Sequence, residues 1–166
     1  MLTRYAVGVG GAMGDATKLD LKAWDRDFRI NVTSMVLMCR RVIPHFRKQG
    51  RGSIVNMSSV FGLQGGNPNL LYPTTKGAII QTTRAMAAQH GKENIRVNCV
   101  APGMVKAQGM TDEMRKARVG QNLMGQEGDA WDVAWAVVFM ASREAKWITG
   151  LIMPVDGGVS ACHAWR

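Results

Sequence analysis

What most constrains the fold of this chain is alternation: short apolar runs of strand length recur between long segments whose apolar residues return every three or four positions. Over residues 21–49, Trp24, Phe28, Val32, Met35, Val36, Cys39, Val42, Ile43 and Phe46 keep that period, so the segment reads as one long amphipathic helix. Gly52–Met57 is a strand pattern, followed by a Gly/Asn/Pro-rich loop at 62–69 and a helix pattern at 72–90 that carries Ile79, Ile80, Met86 and Ala87. A second strand reads at 95–100 and is closed by Pro102-Gly103. A polar helix at 111–118 has Asp112 and Glu113 in its first turn and Lys116 and Arg118 in its last, as the helix dipole favours. Residues 129–142 form an alanine-rich helix with Trp131, Trp135 and Phe139 at four-residue steps, and 151–155 a strand whose Pro154 suits a sheet edge. Residues 5–9 are a fourth candidate strand.

Strands that alternate with helices imply a parallel sheet with right-handed crossovers and helices on both faces, a doubly wound α/β architecture. The 166 residues, 46% apolar and 20% charged, are sized and composed for a single globular domain spanning residues 1–166. No apolar run reaches the length of a membrane span and the start lacks the apolar region of a signal peptide, so the expected location is cytoplasmic, with no membrane partner. Cys39, Cys99 and Cys162 show no metal-ligand or redox-pair spacing; no metal is expected, Cys39 and Cys99 read as small buried hydrophobes and Cys162 as an exposed thiol. The net charge is +9. Its densest cluster, Arg40, Arg41, Arg47, Lys48 and Arg51, lies where the first long helix ends at Gly50, which the dipole explains, and no aromatic interleaving points to nucleic acid.

The chemistry is concentrated between Gly52 and Lys76. Tyr72 and Lys76, four residues apart, share one helical face. A free tyrosine titrates near ~10, and an ammonium a few ångströms away stabilises the phenolate, which brings proton transfer within reach of neutral pH. A serine hydroxyl at the end of the preceding strand would orient a substrate carbonyl against the phenol. For an isolated match, a helix-start tyrosine packed on the core and a solvated lysine explain the same spacing better.

The neighbouring fragments change that balance. Trp24-Asp25 and Asn31-Val32, Gly52-Ser53-Ile54-Val55-Asn56, Ser58-Ser59-Val60, Tyr72 with Lys76, Asn94-Ile95-Arg96-Val97-Asn98, Pro102-Gly103, Ile148-Thr149-Gly150 and Val155-Asp156-Gly157-Gly158 follow one another in the order and near the spacing of a short-chain dehydrogenase/reductase. The chain resembles the second half of that family from about Gly8 to Gly158. The resemblance implies Tyr72 as general acid/base, Lys76 as the group that lowers its pKa and holds the ribose of a nicotinamide cofactor, NAD(P), and Ser59 as the group that positions the substrate oxygen, with Ser58 its rival. It implies that Asn31 holds a water linking Lys76 to solvent, and that Tyr72, Lys76, Pro102 and Gly103 line the cofactor site. The substrate would be a small organic molecule with a carbonyl or secondary alcohol. The partner would be a second copy, joined through the helices at 21–49 and 72–90, where some of Met35, Leu37, Met38, Ile79, Ile80 and Met86 would face outward.

Family members begin with a strand, a glycine-rich turn and a helix whose N-terminus receives the cofactor pyrophosphate. Gly8, Gly10, Gly11 and Gly14 do not make Gly-x-Gly-x-x-Gly. Gly8 instead aligns with the end of the family's Asn-Asn-Ala-Gly, which puts Tyr5 and Ala6 where the asparagines belong. Ala107 stands where the family places a threonine for the nicotinamide carboxamide. The expectation is a member whose first, cofactor-binding half is missing and whose nicotinamide affinity is weak. The alternative is a non-redox descendant (isomerase, cyclase, dehydratase or substrate-binding protein), and nicotinamide binding separates the two.

Overall fold

The computed structural model describes the main chain of residues 2–5 and, in full, residues 8–11, 13–106 and 109–161; Ala6, Ala107 and Cys162 lie outside the described residues. Four parallel strands form one sheet in the order β1-β2-β3-β4: β1 Leu2–Tyr5, β2 Gly52–Met57, β3 Ile95–Pro102 and β4 Ile152–Val155. The fourth strand is therefore earlier than the 5–9 pattern suggested. β4 is the edge strand, so the missing N–H of Pro154 leaves no hole in the ladder.

Alternation along β2 and β3 sends successive side chains to opposite faces. On one face, Ile54 and Val97, paired in register, meet Cys39, Ile43 and Phe46 of α2 (Ser34–Gln49) and Met86 and Ala87 of α3 (Leu71–His90). On the other, Val55 and Val100 meet Val133, Val137 and Met140 of α5 (Ala130–Ala141). Met35, Ile79 and Cys99 form a third cluster nearer the site. Burial pushes the thiols of Cys39 and Cys99 up to about 11, which keeps both as inert core groups.

Helix ends follow local chemistry. Asp20 caps α1 (Leu21–Phe28) by accepting from Lys22 N, Thr111 caps α4 (Asp112–Val119), and Asp129 and Asp132 form a reciprocal capping box at α5. Gly50, at φ 67°, closes α2 in the left-handed conformation that glycine adopts without strain. Beside it Arg47 grips Glu93 through two hydrogen bonds of 2.7 and 2.9 Å. The 21–49 segment is not one continuous α-helix: a π-helical turn at Arg29–Thr33 separates α1 from α2. Among the described residues no helix is long and apolar enough to cross a membrane, and no group of three His, Cys, Asp or Glu is placed to hold a metal ion.

The expected outward face of the helix pair is only partly present. Met35, Ile79, Ile80 and Met86 are buried in the core, and Leu37 and Met38, with Val36, are exposed. Each strand of β2 and β3 presents apolar side chains to the α2/α3 face, so those four residues fill the helix–sheet interface. Among the described residues α3 exposes no large apolar side chain; Trp131, Trp135, Val138 and Phe139 of α5 do.

Candidate active site

Ser59 is an extended residue two positions beyond the end of β2, with φ −162° and ψ 160°. Its Oγ accepts from Phe61 N at 3.3 Å and so caps the short 3-10 turn Val60–Gly62. Among the described residues the hydroxyl donates to no protein acceptor, which leaves it available as a donor. Ser58 also lines the cavity described below, but it is buried and its Oγ donates to the carbonyl oxygen of Lys76 at 2.8 Å. The rival of Ser59 is thus a strut between β2 and α3.

α3 opens without a side-chain cap at Leu70. Pro73 falls in its first turn, where a missing N–H removes only a donor that has no intrahelical partner. Tyr72 and Lys76 stand one turn apart on the face toward β2. The phenol ring is fixed edge-on by Phe61, with centroids 6.4 Å apart at 71°, and Lys76 Nζ lies 5.5 Å from the centre of the Tyr72 ring. Lys76 is 4% exposed, and its ammonium donates to Met57 O at 3.3 Å. Desolvation pushes its pKa down, because burial in low dielectric penalises the charged form.

Asn31 is fully buried, at the centre of the π-helical turn. Its Oδ1 accepts from Val9 N at 2.8 Å, and its Nδ2 donates to Val9 O at 2.8 Å and to Thr75 Oγ1 at 3.0 Å. One side chain therefore joins the segment after β1, the α1–α2 junction and α3. A π-turn widens the helix locally and recurs at functional sites; here it delivers Asn31 to the sheet.

These groups meet at the carboxyl ends of β2 and β3, where open parallel sheets bind ligands. Gly8, Ser59, Tyr72, Lys76, Pro102 and Gly103 line a cavity of about 270 Å³. A larger groove, about 810 Å³, runs along the outer side of α1 and α2 and contains none of them. The smaller cavity is the one with the chemistry. Five of the six expected site residues line it, and the sixth, Asn31, is linked to Tyr72 through Thr75, which accepts from Asn31 and donates to the Tyr72 carbonyl.

Three contributors carry no motif of their own. Thr75 links Asn31 to α3 and donates to Tyr72 O at 2.9 Å. Asp27 is buried and accepts from Gly11 N at 3.0 Å, holding the glycine segment against α1. Gly62 approaches Lys76 so closely that a Cβ there would lie 2.6 Å from the Lys76 carbonyl carbon and 2.8 Å from Ser58 Oγ. Gly103 has a second reason to be glycine: a Cβ would sit 2.6 Å from the Asp156 main chain.

The residues present fit the nicotinamide riboside end of a dinucleotide. Lys76 spends one donor on Met57 O and faces the cavity with the rest, and Gly8 presents only backbone there, where a Cβ would lie 3.2 Å from Lys76 Nζ. No Gly-x-Gly-x-x-Gly turn occurs in the sequence to take the pyrophosphate.

Comparison with known proteins gives the family and the fold. The family profile described as enoyl-(acyl carrier protein) reductase matches residues 4–160. A 7alpha-hydroxysteroid dehydrogenase of Bacteroides fragilis is 36% identical over 86% of this chain and 56% of its own length, and a cyclopentanol dehydrogenase of Comamonas sp. is 41% identical over 83% and 57%. The solved structure of ElxO with NADP bound superposes with a TM-score of 0.90 at 26% identity, covering 97% of this chain and 67% of that one. The chain thus spans little more than half the length of these curated relatives, and over that length it belongs to the short-chain dehydrogenase/reductase family of oxidoreductases.

Proposed function

We propose that the site transfers a proton to or from a carbonyl or secondary alcohol of a small organic substrate in an NAD(P)-dependent oxidation or reduction. The observation that carries this reading is the single cavity in which Ser59, Tyr72 and Lys76 converge at the strand ends. Ser59 donates its hydroxyl to the substrate oxygen and holds it toward Tyr72. In the reducing direction Tyr72 gives its phenolic proton to the nascent alkoxide; in the oxidising direction the phenolate takes it. The Lys76 ammonium, held near the ring by α3, stabilises the phenolate by charge and presents its free donors to the ribose hydroxyls. Asn31 anchors the path by which Lys76 exchanges protons with solvent through a held water. Pro102 and Gly103 form the wall opposite α3. The nicotinamide ring, when bound, supplies or accepts the hydride, as the NADP-bound relative suggests.

The supporting test is a dehydrogenase assay with NAD⁺ and NADP⁺ on a panel of secondary alcohols that includes cyclopentanol and a hydroxysteroid. Oxidation that falls at least ~10²-fold in Tyr72→Phe supports the reading. Turnover that Tyr72→Phe leaves intact removes the proton-transfer role.

We further propose that the chain acts in the cytoplasm and associates with a second copy. Of the two helices expected to form the contact, α2 supplies the outward apolar surface through Val36, Leu37 and Met38.

A further inference from the structure

The opposite end of the sheet from Tyr72 carries a feature that the proposed reaction does not use. Under the N-terminal ends of β2 and β3, beside the C-terminal end of α5, lies a cavity of about 340 Å³ lined by Arg51, Ser53, Asn94, Arg96, Arg143 and Lys146 among others, and by no carboxylate. It is six residues of strand away from the active site, about 15–20 Å at the usual rise.

Its four cations are not balanced locally. Arg96 is half-buried; its guanidinium donates to Met140 O at 2.8 Å, Ser142 O at 3.0 Å and Ile148 O at 3.3 Å, all neutral carbonyls. Burial pushes its pKa down. None of Arg51, Arg96, Arg143 and Lys146 forms an ion pair among the described residues. The acid nearest in sequence, Glu144, is held low by the Ser142 hydroxyl and, more weakly, by Arg143, and it does not line the cavity. The contrast with the neighbouring Arg47 is direct: that guanidinium is neutralised by a two-pronged contact with Glu93.

We propose that this cavity is a binding site for a small phosphate-bearing anion. Guanidinium forks match phosphate oxygens in pairs, and a half-buried arginine oriented by carbonyls meets its ligand with little further ordering. The cavity volume falls within the range of small-ligand sites. Nucleic acid is disfavoured because no aromatic side chain lines the cavity and the cations converge on a concavity rather than following a stripe.

Calorimetric titration of the whole chain with pyrophosphate at physiological salt tests this. The expected result is saturable binding at one site per chain, weakened at least ~10-fold in Arg143→Glu/Lys146→Glu. The charge-matched control Arg40→Glu/Arg41→Glu, at exposed positions of α2, should weaken it less than ~3-fold, since it changes the net charge equally but leaves the cavity intact. Absence of saturation, or equal weakening by the two double variants, overturns the proposal in favour of a diffuse field. A parallel titration with a short DNA duplex that binds more tightly than pyrophosphate, and loses affinity with Arg40→Glu/Arg41→Glu, overturns it in favour of a nucleic-acid surface. No arm depends on turnover, so failure here leaves the active-site reading untouched.

Discussion

α3 and α5 lie on opposite faces of the same sheet and depart from ordinary amphipathic helices in opposite ways. α3 buries polar groups: Thr75, Lys76 and Thr83 are all enclosed. α5 exposes aromatic ones: Trp131 and Trp135 stand 69% and 66% exposed, their rings 6.5 Å apart and tilted by 36°. Neither choice favours the isolated fold. Burying an ammonium against one carbonyl opposes stability, and leaving two indoles in water forgoes the gain from burying them. Buried polar groups and exposed apolar patches are the informative exceptions in a folded protein: here the first lie beside the proposed reaction site and the second form a surface suited to contact.

The largest effect that sharpens this contrast is at Tyr72. Tyr72→Phe should lower any turnover by at least ~10²-fold with no change in thermal stability, because the phenol oxygen lies at a cavity rather than in the core. Next is Gly62→Ala, which should destabilise by about 2 kcal/mol or more and abolish activity, since the new methyl meets the Lys76 carbonyl with no room to move. A melting curve and an activity assay on the same preparation check both.

Lys76→Met is the sharpest discriminator between function and packing. The folded-state pKa of Lys76 is lowered by desolvation, so the unfolded chain binds the extra proton. Stability is therefore reduced below the folded pKa and rises as pH climbs toward the ordinary lysine value. Replacing the ammonium by an apolar side chain of similar length should raise stability at pH 7 by about 1 kcal/mol while eliminating turnover. A variant that is less stable than the parent would show that Lys76 is structural. On the other face, Trp131→Gln/Trp135→Gln should leave the melting temperature nearly unchanged, because these rings already lie in water.

Association distinguishes the surfaces further. Light scattering at micromolar concentration should report a dimer or larger, and Leu37→Glu/Met38→Glu should weaken it; a monodisperse monomer of the parent chain would contradict the proposed pairing. The smallest effect is at Glu93, which Arg47 holds down to about 2. A depressed carboxylate stabilises the fold above the ordinary carboxylate range and loses that contribution as pH falls toward its folded pKa. Glu93→Gln should therefore change acid unfolding slightly and neutral stability hardly at all, consistent with an exposed pair.

Much of this was legible in residue patterns. The apolar strand run at 52–57, the charged first and last turns of the helix at 111–118 and the edge-strand Pro154 act through local geometry, which spacing records. So does the Tyr72–Lys76 step on one helical face. The π-turn at Arg29–Thr33 was not legible, because the apolar period continues through it; what it changes is where Asn31 points. Which of the apolar residues on α2 and α3 are buried was not legible for a related reason: both faces of a parallel sheet need covering, and a helix that supplies one of them buries a wider stripe than its own period suggests, here Met35, Ile79, Ile80 and Met86. Ser58 and Thr75 act through hydrogen bonds to partners distant in sequence, Lys76 and Asn31, which leave no trace in spacing.

The most direct test of the central claim, a nicotinamide-riboside site formed by Tyr72 and Lys76 without a phosphate-binding turn in the chain, is calorimetric titration with NADPH and NADH. It should be run in the Arg143→Glu/Lys146→Glu background so that the distal cations do not contribute. The account predicts a dissociation constant in the high micromolar range or weaker, lost on Lys76→Met. A low-micromolar constant, or binding indifferent to Lys76→Met, would contradict it.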